Sequence, residues 1–161
     1  MKTANDIKKV LTLQIEGYKA LFELLRKERE SLIDFDEHGM ERLSKEKDTQ
    51  TLKLRLLEEE RLRLMKKFVV EINNVSSEHG HKASMDMNLN TLAEITGDMD
   101  FNQIRTMLKS LLQSIEELNE FNKVLIDRSL KYVRNNINFL NIHGVNPTMV
   151  GKTGVFLARE A

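Results

Sequence analysis

The sequence predicts an all-α protein, an elongated antiparallel three-helix bundle with long, coiled-coil-like helices. Three observations lead there. Apolar residues recur at alternating steps of four and three over three long runs. One Pro and seven Gly in 161 residues leave little punctuation for turns. Leu, Glu, Lys, Arg and Met are plentiful while aromatics make up only 6%, a composition that favours long helices.

The first helix is expected over about residues 4–35. Its seam reads Ile7, Leu11, Gln14, Tyr18, Leu21, Leu25, Glu28, Leu32 and Phe35, widened by Val10, Phe22 and Leu24. Asp34, Asp36, His38 and Gly39 then break the pattern. This is either a turn that folds the second helix back on the first, the simpler reading, or a kink.

The second helix is expected over about residues 40–76, along Met40, Leu43, Leu54, Leu57, Leu64, Phe68, Ile72 and Val75, with Lys47, Gln50 and Arg61 in the seam positions between. Residues 76–100 mix Ser, Gly, His and Asn and read as the main loop, holding one short helical turn near Thr91 to Ile95. The third helix spans about residues 100–142. Asp98 or Asp100 caps its start, as a hydrogen-bond acceptor and as a charge favoured by the helix dipole. Its seam runs unbroken through Phe101, Ile104, Leu108, Leu111, Ile115, Leu118, Asn122, Leu125, Ser129, Tyr132, Asn136 and Phe139 until Gly144 and Pro147 end it. The domain reading is a helical bundle over residues 1–143 and a C-terminal tail over 144–161.

Charge excludes several function classes. The chain holds 25 basic and 25 acidic residues, and the balance persists within each half. No basic excess is present to supply the electrostatic footprint of a nucleic-acid or anionic-membrane binder. The amino terminus carries charges every few residues and lacks the apolar run of a signal peptide or a span. The expectation is a cytoplasmic protein with no nucleic-acid partner and no stable membrane insertion. Without Cys there is no disulfide, thiolate zinc site or cysteine nucleophile.

No motif carries catalysis, a cofactor or a metal. Gly151-Lys152-Thr153 resembles part of a phosphate-binding loop, but Gly144 lies seven residues before Gly151 where that motif needs five. Glu78 and His81 have the spacing of a bundle metal-ligand pair, yet a di-iron bundle needs two such pairs and two more carboxylates. Loop histidines such as His79 and His81 read as solvated side chains. Glu58-Glu59-Glu60-Arg61 reads as a solvated helix face with local ion pairs. The chain is not expected to be an enzyme.

The third helix changes face along its length. In its second half a new apolar stripe appears at Ile126, Leu130, Val133, Ile137 and Leu140, while the older seam turns partly polar at Asn122, Ser129 and Asn136. Such a stripe either packs on the first two helices or receives a partner.

The run Leu118-Asn119-x-x-Asn122-x-x-Leu125-Ile126-x-x-Ser129-Leu130-x-Tyr132 resembles the third-helix pattern of the FlgN-like chaperones of flagellar type III export. Tyr18-x-x-Leu21-x-x-Leu24-Leu25 with Glu28 is similar to the family's opening, and Lys47…Leu54-x-x-Leu57-Glu58-x-x-Arg61 to its second helix. The resemblance covers nearly the whole chain. It implies a cytoplasmic, non-enzymatic chaperone that binds terminal amphipathic segments of the hook-associated (hook–filament junction) proteins, prevents premature assembly and delivers them to the export apparatus. The client-binding residues expected on this reading are Asn119, Asn122, Ile126, Ser129, Leu130, Val133, Ile137 and Leu140. The family's tail often carries Tyr-Gly-x-x-Gly, associated with docking on the export gate. The matching residues here are Val150, Gly151 and Gly154, with Val in the tyrosine's place. A structural coiled-coil oligomeriser or scaffold without client release is the alternative. The same heptads also suit self-association into a homo-oligomer.

Overall fold

The structure, a computed structural model, describes residues 2–75 and 88–142. These residues are helical in four segments: α1 (Lys2–Ile33), α2 (Glu37–Val75), α3 (Leu89–Thr96) and α4 (Asp100–Ile142). The count exceeds the three helices expected, because the turn foreseen near Thr91 is a complete helix with its own ends. Asn88 Oδ1 accepts the Thr91 N–H at 3.0 Å, and Gly97 closes α3 at φ 69°, a conformation glycine takes without a Cβ clash. The boundary expected after residue 143, the tail with Val150, Gly151 and Gly154, and the Glu78–His81 stretch all lie outside the described residues. The chain divides into two compact units, Met1–Asn122 and Lys123–Ala161.

Within the first unit, the reversal between α1 and α2 takes only three residues. Phe35, at φ 54°, occupies the left-handed position after α1, and Asp36 N–H reaches back to Ser31 O at 2.9 Å. This is the six-to-one bond of a Schellman ending, with phenylalanine where glycine usually sits. Asp36 then caps α2: its Oδ1 accepts the Gly39 N–H at 2.9 Å. A Cβ on Gly39 would lie 2.1 Å from Asp36 Oδ2, so this cap needs glycine there. Two expectations are corrected as a result. The second helix starts at Glu37 rather than near residue 40, and Phe35 is 69% exposed rather than part of the seam.

Polar residues in the seams tie α1 to α2 in antiparallel register. Thr3 Oγ1 donates to Glu71 Oε1 at 2.7 Å, Gln14 Nε2 to Glu58 Oε2 at 2.9 Å, and Lys47 pairs with Glu28. Gln50 Nε2 donates to Gly17 O at 2.9 Å, and a Cβ on Gly17 would sit 2.7 Å from Leu54 Cδ2. Gly17 therefore lets the two helices approach closely. Pairs of this kind select one register among the many that leucines alone would tolerate.

The early part of α4 runs parallel to α1. Lys8 Nζ bonds Asp98 Oδ2 at 3.0 Å and also reaches Asp100, while Asn122 contacts Leu25 and Glu28 further along. Asp98 Oδ1 accepts the Asp100 N–H at 3.1 Å, so Asp98 is the capping residue. The Lys8 ammonium holds the Asp98 carboxyl below its ordinary value. The two aspartates, Asp100 foremost, raise Lys8. The core joins all four helices through Ile7, Leu11, Leu64, Phe68, Ile72, Leu92 and Phe101. Burial of each such side chain contributes ~1.5–3 kcal/mol. Leu92 is wholly buried, so α3 seals the core beside the α4 start.

Candidate functional site

Asn122 is the last residue of the first unit and is 1% exposed. Its Nδ2 donates to Leu25 O and to Glu28 Oε2, both at 2.9 Å, while Lys47 takes the other Glu28 oxygen. This orientation of the amide follows from charge: a flipped Asn122 would aim its oxygen at the Glu28 carboxylate. The Arg29 guanidinium lies 4.4 Å from the centre of the Phe121 ring, a second α1–α4 tie beside the first. Asn122, a seam residue expected among the client-binding residues, is buried and links α4 to α1. Its amide hydrogens are both spent on α1.

A second polar cluster sits midway along the first unit. Arg61 grips Glu58 with two bonds, Nε to Oε2 at 2.7 Å and Nη2 to Oε1, and Gln14 donates to the same carboxylate. The Arg61 hydrogen bonds hold Glu58 below its ordinary value, against its partial burial. Burial pushes the Tyr18 phenol up, and the Glu58 charge adds to the effect. The stretch from Glu58 to Arg61 is therefore not uniformly solvated: Glu58 and Arg61 are half-buried partners, while Glu59 is exposed. The carboxylate and the guanidinium saturate each other, which leaves neither poised for acid–base chemistry. Among the described residues no group of three His, Asp or Glu is placed to hold a metal ion.

The described part of the second unit is the α4 segment from Lys123 to Ile142. Its Ile126, Leu130, Val133 and Ile137 are exposed, at 38% and 51% for Ile126 and Val133, and only Leu140 is buried. Tyr132 and Phe139 are also exposed. At ~100° per residue, Ile126, Leu130, Val133, Ile137 and Leu140 cluster in one arc, and Leu125, Ser129, Tyr132, Asn136 and Phe139 fill the arc beside it. Together they form one broad face, opposite Lys123, Asp127, Arg128, Lys131 and Arg134. Asn119, in the first unit, is exposed, and Ser129 is half-buried.

Late α4 thus shows an apolar arc and a charged arc along its length. The class defined by the fold is an all-helical protein with an exposed apolar helix face. Residues 1–154 match the family model described as FlgN protein. The chain belongs to the FlgN family, the flagellar export chaperones. Comparison with curated proteins and with solved structures found no match. No helix among the described residues is long and apolar enough to cross a membrane.

Proposed function

We propose that this chain is a cytoplasmic, non-enzymatic chaperone for the terminal amphipathic segments of hook-associated proteins, which it keeps from premature assembly and delivers to the type III export apparatus. The observation that carries the reading is the exposed apolar face of α4 between Ile126 and Ile137. A client segment with its own uncovered apolar stripe folds as a helix on such a face, and the ordering cost keeps the complex releasable. Asn119, Ile126, Ser129, Leu130, Val133 and Ile137 are the contact residues on this reading. Leu140 anchors the end of the stripe from its buried position. Residues Val150, Gly151 and Gly154 are the proposed contact with the export gate, made without the family's tyrosine. The first unit serves as the scaffold, a three-helix bundle of α1, α2 and early α4 to which α3 is added.

The test is calorimetric titration with a peptide from the terminal segment of a hook-associated protein. The double substitution Ile126→Asp and Val133→Asp is expected to weaken binding tenfold or more, since two contacts each worth over 1 kcal/mol are lost. Far-ultraviolet circular dichroism is expected to stay unchanged, because both side chains are exposed. Undiminished peptide binding by the double variant overturns the assignment of the face.

A further inference from the structure

The hairpin of α1 and α2 has a groove on the first unit that no other described residue covers, distinct from the α4 face. Leu13, Glu16, Gly17 and Ala20 of α1 form one wall, and Lys53 and Leu56 of α2 stand on the other. Leu13 and Leu56 are 49% and 56% exposed. The α1 side chains of Lys8 and Arg29, which meet the α4 start and Phe121, project from roughly the opposite side of α1, counting ~100° per residue. Gly17 and Ala20 keep the α1 wall low, so another helix has room to approach.

Charge on the two walls identifies the occupant. Glu16 and Lys53 have no ion-pair partner among the described residues, and the acid is on α1 while the base is on α2. The contacts of Gly17 with Gln50 and Leu54, and of Gln14 with Glu58, put Glu16 within a turn of Lys53 along the helix axis. A two-fold axis parallel to the helices preserves height and lays α1 of one copy on α2 of the other. Glu16 of each copy then faces Lys53 of its mate, and Leu13 faces Leu56, each contact made twice. A two-fold axis perpendicular to the helices stacks α1 on α1, setting acid beside acid and base beside base. One of the two arrangements is therefore self-complementary in both charge and apolar contact.

We infer that this groove is a homodimer interface in which two α1–α2 hairpins close into a four-helix bundle. None of its residues belongs to the proposed client face, so the inference stands or falls apart from client binding. Sedimentation of the full chain across micromolar concentrations is expected to show a monomer–dimer equilibrium. Glu16→Lys alone and Lys53→Glu alone are each expected to weaken dimerisation roughly tenfold or more, because each turns two attractive pairs into two repulsive ones. The double variant restores the opposite pairing and is expected to regain the parental dimer. Both sites are exposed at the groove, and circular dichroism checks that the variants stay helical. A chain that is monomeric throughout, single variants that dimerise like the parent, or a double variant that fails to recover would each overturn the inference.

Discussion

Phe35 holds a backbone conformation that costs an L-residue roughly 1–2 kcal/mol and gains little in return, since its ring is 69% exposed. The Schellman bond from Asp36 and the Gly39 cap fix the geometry on both sides, so the strain is localised to one residue. Phe35→Gly is expected to stabilise the chain by about 1 kcal/mol, less than the full relief because glycine adds freedom to the unfolded state. For a chain of this size that corresponds to a rise in melting temperature of roughly 2–4 °C. A calorimetric scan checks it, and a fall in melting temperature would mean that the Phe35 ring packs favourably after all. The same residue shows what a periodic reading misses. Phe35 sits at the right interval to continue the α1 seam, yet spacing describes a helix only where one exists. The capping choice at Asp36, which ends that helix, depends on backbone geometry that Asp, His and Gly together leave open.

At the scale of the elements, the α1 and α2 seams were legible because their positions repeat and most are filled by apolar side chains. Leu11, Leu25 and Leu32 are buried as the spacing required, and so are Leu43, Leu54, Leu64 and Phe68. The apolar stripe of late α4 was legible for the same reason. The role of Asn122 was not: an asparagine at a seam position reads alike whether it greets a partner or links two helices, and only its neighbours decide. Here Leu25 O and Glu28 accept from it and Lys47 completes the group. Asn122→Asp tests that role sharply. The new carboxylate loses both donor bonds and is buried beside Glu28, a like-charge contact expected to cost about 3 kcal/mol or more near neutral pH. Because burial and Glu28 raise the new carboxyl's folded pKa above its unfolded one, the cost is present above the unfolded value and fades as pH falls below it. Chemical denaturation of parent and variant at neutral and mildly acidic pH checks both sign and trend. An equal loss at both pH values would attribute the effect to shape rather than charge.

Across the whole molecule, burial is distributed unevenly, and this sets where order is cheapest to lose. Every described residue that is buried lies in the first unit apart from Leu140. A helix that buries so little along Lys123 to Phe139 draws little stability from packing, and isolated helices of this length are marginal in water. Its amides are therefore expected to exchange with solvent roughly tenfold faster or more than those around Leu11 in α1 and Phe68 in α2, which open only with the core. Covering the face with a client segment supplies the missing burial and couples helix order to binding, so saturating client peptide is expected to slow exchange over residues 124–139 in particular. Hydrogen exchange read by mass spectrometry on the full chain, free and with peptide, measures both quantities. Slow exchange in the free chain would show that late α4 is already covered, and protection by peptide confined to the first unit would place the client elsewhere.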